Sequence, residues 1–341
     1  MKICICGGGN LGHVVAGFIA SRHDFDVSVL TRHPERWSSH LIIECPKEGQ
    51  YRGDLYCISN DPQIVVKGAD VVLLCLPGFS IHEVLIQIKD CLGTGTAVGS
   101  IVSSTGFFFE AMQVLPENIP LFGLQRVPFI SRTLEYGRRA ALLGYKESLH
   151  VAVEHTWRKE ELRQTVEQMF NTPTRLMNNF YEVSLSNSNP LLHPARLYDL
   201  WKDWNESIVY HRVPYFYEEW TEEAAQLYID MDNELQALIR LLPVNPDSIP
   251  SVLNYYESTD ASSLAHKLRS IEAFKSIKAP MKPVEGGFAP DFSSRYFTED
   301  FPYGLSIVDR LAKEHRIETP YIDNVFRWGM NIIGNSLLKS I

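Results

Sequence analysis

The first half of the chain alternates short apolar runs with segments whose apolar residues recur at helical spacing. The runs KICIC (2–6), DVSVL (26–30), ADVVLLCLP (69–77) and GTAVGSIV (95–102) are almost continuously hydrophobic, which is typical of parallel strands covered on both faces. Between the first two runs, Leu11, Val14, Val15 and Phe18 follow the helical period. This alternation predicts an α/β domain built on a doubly wound parallel sheet with right-handed crossovers.

The pattern changes near residues 180–188, and the helical period dominates from there on. Before the change, the segment 139–155 predicts two more strands of the same sheet, joined near Gly144 and Lys146, followed by a helix at 158–170. After it, helices are predicted over 190–204, 222–242, 260–275, 303–315 and 321–339, and the Pro- and Gly-rich segment 276–294 predicts a long ordered loop. We therefore predict an α/β domain over 1–182 and an all-α domain over 183–341.

Composition removes several classes of function. The net charge of −9 disfavours a nucleic-acid surface, and no apolar run reaches the roughly 18–20 residues of a membrane span. All six cysteines lie in the first 91 residues without C-x-x-C spacing, so we expect buried free thiols, no metal site and a reducing, cytoplasmic location.

The stretch GGGNLG at 7–12 matches G-x-G-x-x-G between a predicted strand and a predicted helix. In this motif Gly7 permits the tight turn, Gly9 lets the backbone approach a pyrophosphate, and Gly12 lets the helix pack on the strand. The loop therefore predicts a dinucleotide-binding Rossmann domain, and Asn10 and Leu11 join the three glycines as cofactor candidates.

The end of the second strand indicates which dinucleotide is bound. NAD-binding proteins usually place a carboxylate there for the ribose 2′-hydroxyl, whereas this chain has Thr31, then Arg32, with Arg36 four residues on. Those charges suit a 2′-phosphate, so NADP(H) is favoured over NAD. The turn after the run at 69–77 adds Leu76 and Pro77 as candidates, because the cofactor crosses the carboxyl edge of the sheet.

Two motifs in the second half point to the chemistry. His193 lies in NPLLHP at the start of the first predicted helix there, and RYFTEDFPYGL follows at 295–305. With eleven histidines in the chain, composition alone cannot single out His193. Taken with the glycine loop and the domain order, however, these motifs resemble the opine dehydrogenase family, which includes octopine and nopaline dehydrogenases.

The resemblance implies an NAD(P)H-dependent enzyme that reductively condenses an α-keto acid with the amino group of an amino acid. It also implies a His193–Asp300 catalytic dyad, with Arg295, five residues before Asp300, contacting a substrate carboxylate. The segment GLQRVPFISR (123–132) resembles the part of the family that lines the substrate pocket, with Gln125 as its candidate, and Asn189 is a polar neighbour of His193.

Those residue types suit the chemistry. A histidine with a pKa near 7 can donate and recover protons during carbinolamine dehydration. A carboxylate such as Asp300 can fix its tautomer, and an arginine such as Arg295 can hold a carboxylate bidentately. We expect His193, Asp300 and Arg295 to converge in the cleft between the domains. The expected partners are small molecules, with no nucleic acid and no membrane, and related dehydrogenases suggest a homodimer.

Alternatives remain at this point. Arg295 and Asp300 could form a local surface ion pair, and the aromatic cluster at 199–220 predicts either core or a wall of the amino-acid pocket. A reductase resembling ketopantoate reductases or glycerol-3-phosphate dehydrogenases would use a lysine as its acid, and Lys202 lies nine residues past His193. A non-catalytic NADP(H)-sensing protein is the third possibility.

Overall fold

The computed structural model describes residues 1–338, with side chains at all of these but Pro246 and 335–338. Contacts divide the chain into two compact units, Met1–Ser184 and a second that begins at Leu185. The predicted boundary between 182 and 183 lies two residues before this division. The last predicted helix reached residue 339, which lies outside the described residues.

The first unit is built on an eight-stranded, mostly parallel sheet. Its strands are β1 (Lys2–Cys6), β2 (Asp26–Leu30), β5 (Cys57–Ser59), β6 (Val71–Leu74), β7 (Ala97–Ile101), β8 (Leu121–Leu124), β11 (Leu149–Glu154) and β12 (Thr174–Leu176), and β3 and β4 are described below. The strand order is β12-β11-β8-β7-β6-β1-β2-β5. All neighbours pair in parallel except β8 and β11. The doubly wound parallel sheet predicted from the sequence is thereby confirmed.

Alternate residues of the central strands feed two separate apolar clusters, one on each face of the sheet. In β1, Ile3 and Ile5 belong to one cluster, while Cys4 and Cys6 belong to the other. Burial on both faces explains why these strands are continuously apolar rather than alternating. The helices of the unit are α1 (Asn10–Ala20), α2 (Pro62–Val65), α3 (Gly78–Ile88), α4 (Phe107–Val114), α5 (Lys159–Phe170) and α6 (Phe180–Leu185).

A second, four-stranded sheet lies beside the first. It comprises β3 (His40–Cys45), β4 (Gly49–Asp54), β9 (Phe129–Glu135) and β10 (Arg139–Tyr145) in the order β4-β3-β10-β9. The prediction that both strands of 139–155 extend the main sheet is therefore wrong for the first of them. β10 pairs with β3 and β9 instead, and only β11 joins the main sheet.

Helix α1 packs against both sheets. An added Cβ on Gly17 would meet Ile43 of the small sheet at 2.6 Å, and one on Gly53 would meet the Gly17 carbonyl oxygen at 2.4 Å. Helix and strand thus touch backbone to backbone, which only glycine permits. This contact buries α1 on nearly all sides, including His13, which is 0% exposed.

The second unit is helical. Its helices are α7 (Asn189–Trp201), α8 (Glu222–Ile239), α9 (Val252–Tyr255), α10 (Ala261–Ser270), α11 (Arg295–Thr298), α12 (Ser306–Glu314) and α13 (Pro320–Leu338), with a π-helical turn at Phe301–Leu305. Capping fixes several of the starts: the Thr221 hydroxyl accepts the Ala224 N–H before α8, and Asp260 and Ser263 form a capping box on α10.

The segment predicted as a long loop contains a β-hairpin. Strands β13 (Met281–Val284) and β14 (Gly287–Pro290) pair antiparallel across a turn in which Gly286 has φ +81°. The hairpin is held from outside because the backbones of Tyr210 and Phe288 exchange two hydrogen bonds of 2.8 and 2.9 Å. The unit is therefore helical with one small hairpin. No helix within residues 1–338 is both long and apolar enough to cross a membrane.

Candidate functional site

The glycine loop between β1 and α1 has two positions that only glycine can occupy. Gly7 has φ +127°, and an added Cβ would lie 2.6 Å from the Cys75 carbonyl oxygen. A Cβ on Gly12 would lie only 2.0 Å from the Gly7 carbonyl oxygen, because the first turn of α1 presses directly on the loop. Both glycines therefore maintain the loop itself.

Gly9 is different, because it borders open space. No atom lies within 4 Å of the position its Cβ would take, and its φ of −85° suits any residue. Gly9 is the N-cap of α1, so no side chain caps this helix start, and the first turn carries no acidic residue. The free N–H groups of this helix start and the space beside Gly9 fit the pyrophosphate of a dinucleotide.

The two other loop candidates have mixed surroundings. The Asn10 side-chain oxygen accepts the Thr133 N–H at 2.9 Å, so this side chain ties the loop to β9. Leu11 is half-buried and packs on the apolar cluster around α1. For both residues the backbone N–H, rather than the side chain, is the group available to a phosphate.

The end of β2 carries no carboxylate. Thr31 is buried there and its N–H donates to the Ser59 carbonyl oxygen at 3.0 Å. Gly8 lies against Thr31 and Tyr136, since an added Cβ would be 3.1 Å from the Thr31 hydroxyl and 2.7 Å from the Tyr136 hydroxyl. The Arg36 guanidinium lies 4.4 Å from the centre of the Tyr136 ring, a cation–π contact, and Arg32 is exposed.

His13 joins the glycine loop to the β9–β10 turn, a role that sequence reasoning missed. Its Nδ1–H donates to the Gly9 carbonyl oxygen at 2.9 Å, and its Nε2 accepts the Gly137 N–H at 2.7 Å. The ring stacks on Trp37 at 4.2 Å. Burial lowers the pKa of His13, which keeps the neutral form that this pair of bonds requires. The sequence signal for this role was a histidine among the apolar positions of the predicted first helix.

The remaining candidates of the first unit lie at strand ends. Pro77 is the N-cap of α3, and the Leu76 side chain lies 3.2 Å from the position of an added Cβ on Gly7. Both therefore adjoin the glycine loop. Gln125 follows β8, is half-buried, and donates its backbone N–H to the His150 carbonyl oxygen at 3.0 Å.

In the second unit, His193 and Asp300 meet directly. His193 lies one turn into α7 and is 6% exposed. Its Nδ1 is 2.8 Å from the Asp300 carboxylate. A carboxylate oxygen accepts, so Nδ1 donates in this bond, and Nε2 is the acceptor nitrogen of a ring that carries one proton.

Tyr217 forms a hydrogen bond with the other ring nitrogen of His193. Its hydroxyl lies 2.9 Å from His193 Nε2 in a buried hydrogen bond. Its ring stacks on Phe274 at 4.1 Å and parallel to Trp220 at 6.1 Å. Burial above all, then the neighbouring Tyr296, Tyr256 and Asp300, raises the pKa of the Tyr217 phenol. The sequence offered only the aromatic cluster at 199–220 as a signal for this residue.

Three further residues of the second unit test the alternatives. Arg295 opens α11, is exposed, and within residues 1–338 forms no ion pair, whereas Asp300 pairs with His193. The alternative of a local Arg295–Asp300 ion pair is therefore wrong. Asn189 is half-buried at the start of α7, and its N–H donates to the Asn187 side chain at 3.2 Å. Lys202 is exposed, with its ammonium 6.0 Å from the Tyr198 ring centre.

The cysteines form no disulfide bonds. All six cysteines are free, and all are buried except the half-buried Cys57. In the part of the chain that the structure describes, no three His, Cys, Asp or Glu side chains are grouped as metal ligands.

The chain is similar to opine dehydrogenases in sequence. The model for the NAD/NADP octopine/nopaline dehydrogenase alpha-helical domain matches residues 176–333. Octopine dehydrogenase of Pecten maximus is 29% identical over 99% of this chain and 92% of its own, and tauropine dehydrogenase of Arabella iricolor is 27% identical over 98% and 92%.

Solved structures agree. Octopine dehydrogenase with NADH and L-arginine has a TM-score of 0.88 and 27% identity over 98% of this chain and 90% of its own. Octopine dehydrogenase with NADH and pyruvate has a TM-score of 0.85 and 26% identity over 98% and 89%. The resemblance inferred from the sequence is confirmed: residues 176–333 match the helical domain of octopine/nopaline dehydrogenases, and nearly the whole chain is similar to octopine dehydrogenase. The chain is an NAD(P)-dependent dehydrogenase.

Proposed function

We propose that this enzyme reductively condenses an α-keto acid with the amino group of an amino acid. The observation that carries the proposal is the buried bond between His193 Nδ1 and the Asp300 carboxylate at 2.8 Å. It gives the imidazole a fixed tautomer and a partner that stabilises its protonated form, as an acid–base group in imine formation requires. The octopine dehydrogenase structures with NADH and L-arginine or pyruvate support the same substrate classes.

The other candidate residues have roles in binding. Arg295 is exposed and outside every ion pair of residues 1–338, so its planar guanidinium can hold a substrate carboxylate bidentately. Gln125 and Asn189 are half-buried polar side chains and stay candidates for substrate contacts. The nicotinamide supplies the hydride, and the protein positions the imine and supplies protons.

The test is cofactor oxidation by the purified enzyme. NADPH and NADH are each mixed with a keto acid, with and without a panel of amino acids. We expect oxidation that depends on the amine and disappears in His193→Ala, while His266→Ala, an exposed histidine on α10, leaves it unchanged. Oxidation with the keto acid alone would indicate a hydroxy-acid dehydrogenase. Cofactor binding without turnover would favour the sensing alternative.

We further propose that the cofactor is NADP(H) rather than NAD(H). Thr31, not a carboxylate, directly follows β2, and the Arg36 guanidinium lies on the Tyr136 ring, whose hydroxyl adjoins Gly8. A guanidinium at this end of the loop would pair with a ribose 2′-phosphate. We expect Arg36→Ala to weaken NADPH binding in a fluorescence titration while NADH binding stays constant. An equal loss for both cofactors would contradict the preference. A homodimer stays a prediction.

A further inference from the structure

We infer that the Tyr217 hydroxyl is a proton relay between His193 and the substrate, so that the dyad works as a chain of three side chains. This inference rests on the proposed function and goes beyond it by naming the group that meets the reacting oxygen. It starts from the observation that both ring nitrogens of His193 are already bonded.

The two bonds of His193 are not equivalent. Nδ1 is 2.8 Å from Asp300, which fixes the tautomer, and Nε2 is 2.9 Å from the Tyr217 hydroxyl. A substrate that bonded directly to the imidazole would have to displace one of these partners. Displacing Asp300 would remove the carboxylate that stabilises imidazolium, so the only alternatives are displacement of Tyr217 or proton transfer through it.

Packing opposes displacement. The Tyr217 ring is 4% exposed and stacks between Phe274 and Trp220, with interplanar angles of 16° and 11°. Removing the hydroxyl from Nε2 would disturb both stacks and break a buried hydrogen bond, which is worth about 0.5–1.5 kcal/mol. Transfer through the hydroxyl requires no such movement, because a hydroxyl can accept one proton while it donates another.

The substrate ammonium loses a proton to the Tyr217 oxygen as Tyr217 passes its own proton to His193 Nε2, which gives a free amine and an imidazolium paired with Asp300. The amine nitrogen then adds to the keto carbon, and its proton moves to the former carbonyl oxygen, which gives a carbinolamine. In dehydration the two transfers reverse: the Tyr217 proton goes to the carbinolamine hydroxyl, Nε2–H reprotonates Tyr217, and the C–O bond breaks.

The products of this step are water and an iminium, whose new C=N bond uses the nitrogen lone pair. Tyr217 is neutral before and after each transfer. That neutrality is what its surroundings demand, because burial and nearby Asp300 and Tyr296 raise the pKa of its phenol. The titratable side chains in contact with the His193 ring are Asp300, Tyr217 and Tyr296, the last with its ring centre 4.4 Å away.

The test compares Tyr217→Phe with the wild-type enzyme in amine-dependent NADPH oxidation. We expect kcat to fall by roughly 10²-fold or more, with the KM values little changed and the solvent deuterium isotope effect on kcat changed. Tyr228→Phe is the matched control, since Tyr228 is a fully buried tyrosine on α8, and we expect it to match the wild type. A Tyr217→Phe enzyme that is as fast as the wild type or faster would show that Tyr217 only covers Nε2, and it would overturn the relay. So would a loss confined to KM, or an equal loss in Tyr228→Phe.

Two further measurements separate the possible failures. Should Tyr217→Phe not fold, a fluorinated tyrosine at position 217 keeps the ring and hydroxyl, and the relay requires the pH profile of kcat to move. An unmoved profile would overturn it. A wild-type enzyme without amine-dependent turnover would overturn the proposed function and the relay together. An active wild type that loses activity in His193→Ala but not in Tyr217→Phe overturns the relay alone.

Discussion

Gly9 and Gly12 both belong to the glycine loop, yet alanine should affect them in opposite ways. At Gly9 an added methyl group meets no protein atom within 4 Å. Because φ is −85° there, the substitution restricts the unfolded chain without straining the folded one, so we expect stability to be unchanged or to rise by up to about 1 kcal/mol. The methyl group would instead project into the space that fits the cofactor pyrophosphate.

The expected loss of binding follows from that position. Inserting a methyl group into a close contact costs about 1–3 kcal/mol, which corresponds to roughly a 5- to 150-fold higher Kd for NADPH. In Gly12→Ala the new Cβ lies 2.0 Å from a backbone oxygen, so the backbone must shift. We expect that variant to lose both thermal stability and binding.

The assay pairs a thermal melt with a fluorescence titration of NADPH for each variant. Gly95→Ala is the control, because Gly95 also borders open space but lies in the loop before β7. It should leave both measurements unchanged. NADPH affinity equal to wild type in Gly9→Ala would refute the placement of the pyrophosphate beside Gly9. If Gly9→Ala melted at a temperature as low as Gly12→Ala does, the space beside Gly9 would not be open.

Three other substitutions test buried polar contacts within each unit. Arg196→Met should lower the free energy of unfolding in urea by about 3–5 kcal/mol, because buried Arg196 pairs with Asp199 at 2.9 Å; a loss below about 1 kcal/mol would contradict this. Burial raises the pKa of Asp232 from 3.8 to about 6. The folded state therefore keeps this proton longer than the unfolded state, and stability falls by about 3 kcal/mol as pH rises through this window. Asp232→Asn should flatten this dependence in melts at pH 4–7, and an unchanged slope would count against it. His13→Phe should accelerate hydrogen exchange at the Gly137 amide, which loses its acceptor, and unchanged exchange would exclude the bond.

The sequence could predict the main sheet because the signals for it are local. Strands such as β1 and β2 are buried on both faces, so each is a nearly continuous apolar run. The glycine loop is equally local, since the three glycines of its motif lie within six residues. Composition and spacing alone did not identify His193; the resemblance to a family was needed.

The missed features depend on contacts between distant segments. β10 is as apolar in part as a main-sheet strand, with Ala140, Ala141 and Leu142 all buried, and nothing local tells whether its neighbour is β11 or β3. Tyr217 likewise lies 24 residues from His193, in a cluster of aromatic residues of which only one contacts Nε2. Periodicity reports which face is buried but not which element covers it.

The small sheet also sets an order for biosynthesis. It is assembled from His40–Asp54 and Phe129–Tyr145, so a nascent chain must deliver the second segment before β3 can pair with β10. The glycine loop leaves the ribosome long before then, but its bond from His13 to Gly137 has to wait for the later segment. Although the glycine loop is synthesised early, it is therefore completed late. A cofactor that binds only the completed loop stabilises only finished chains, so a half-made chain gains no stability from the ligand.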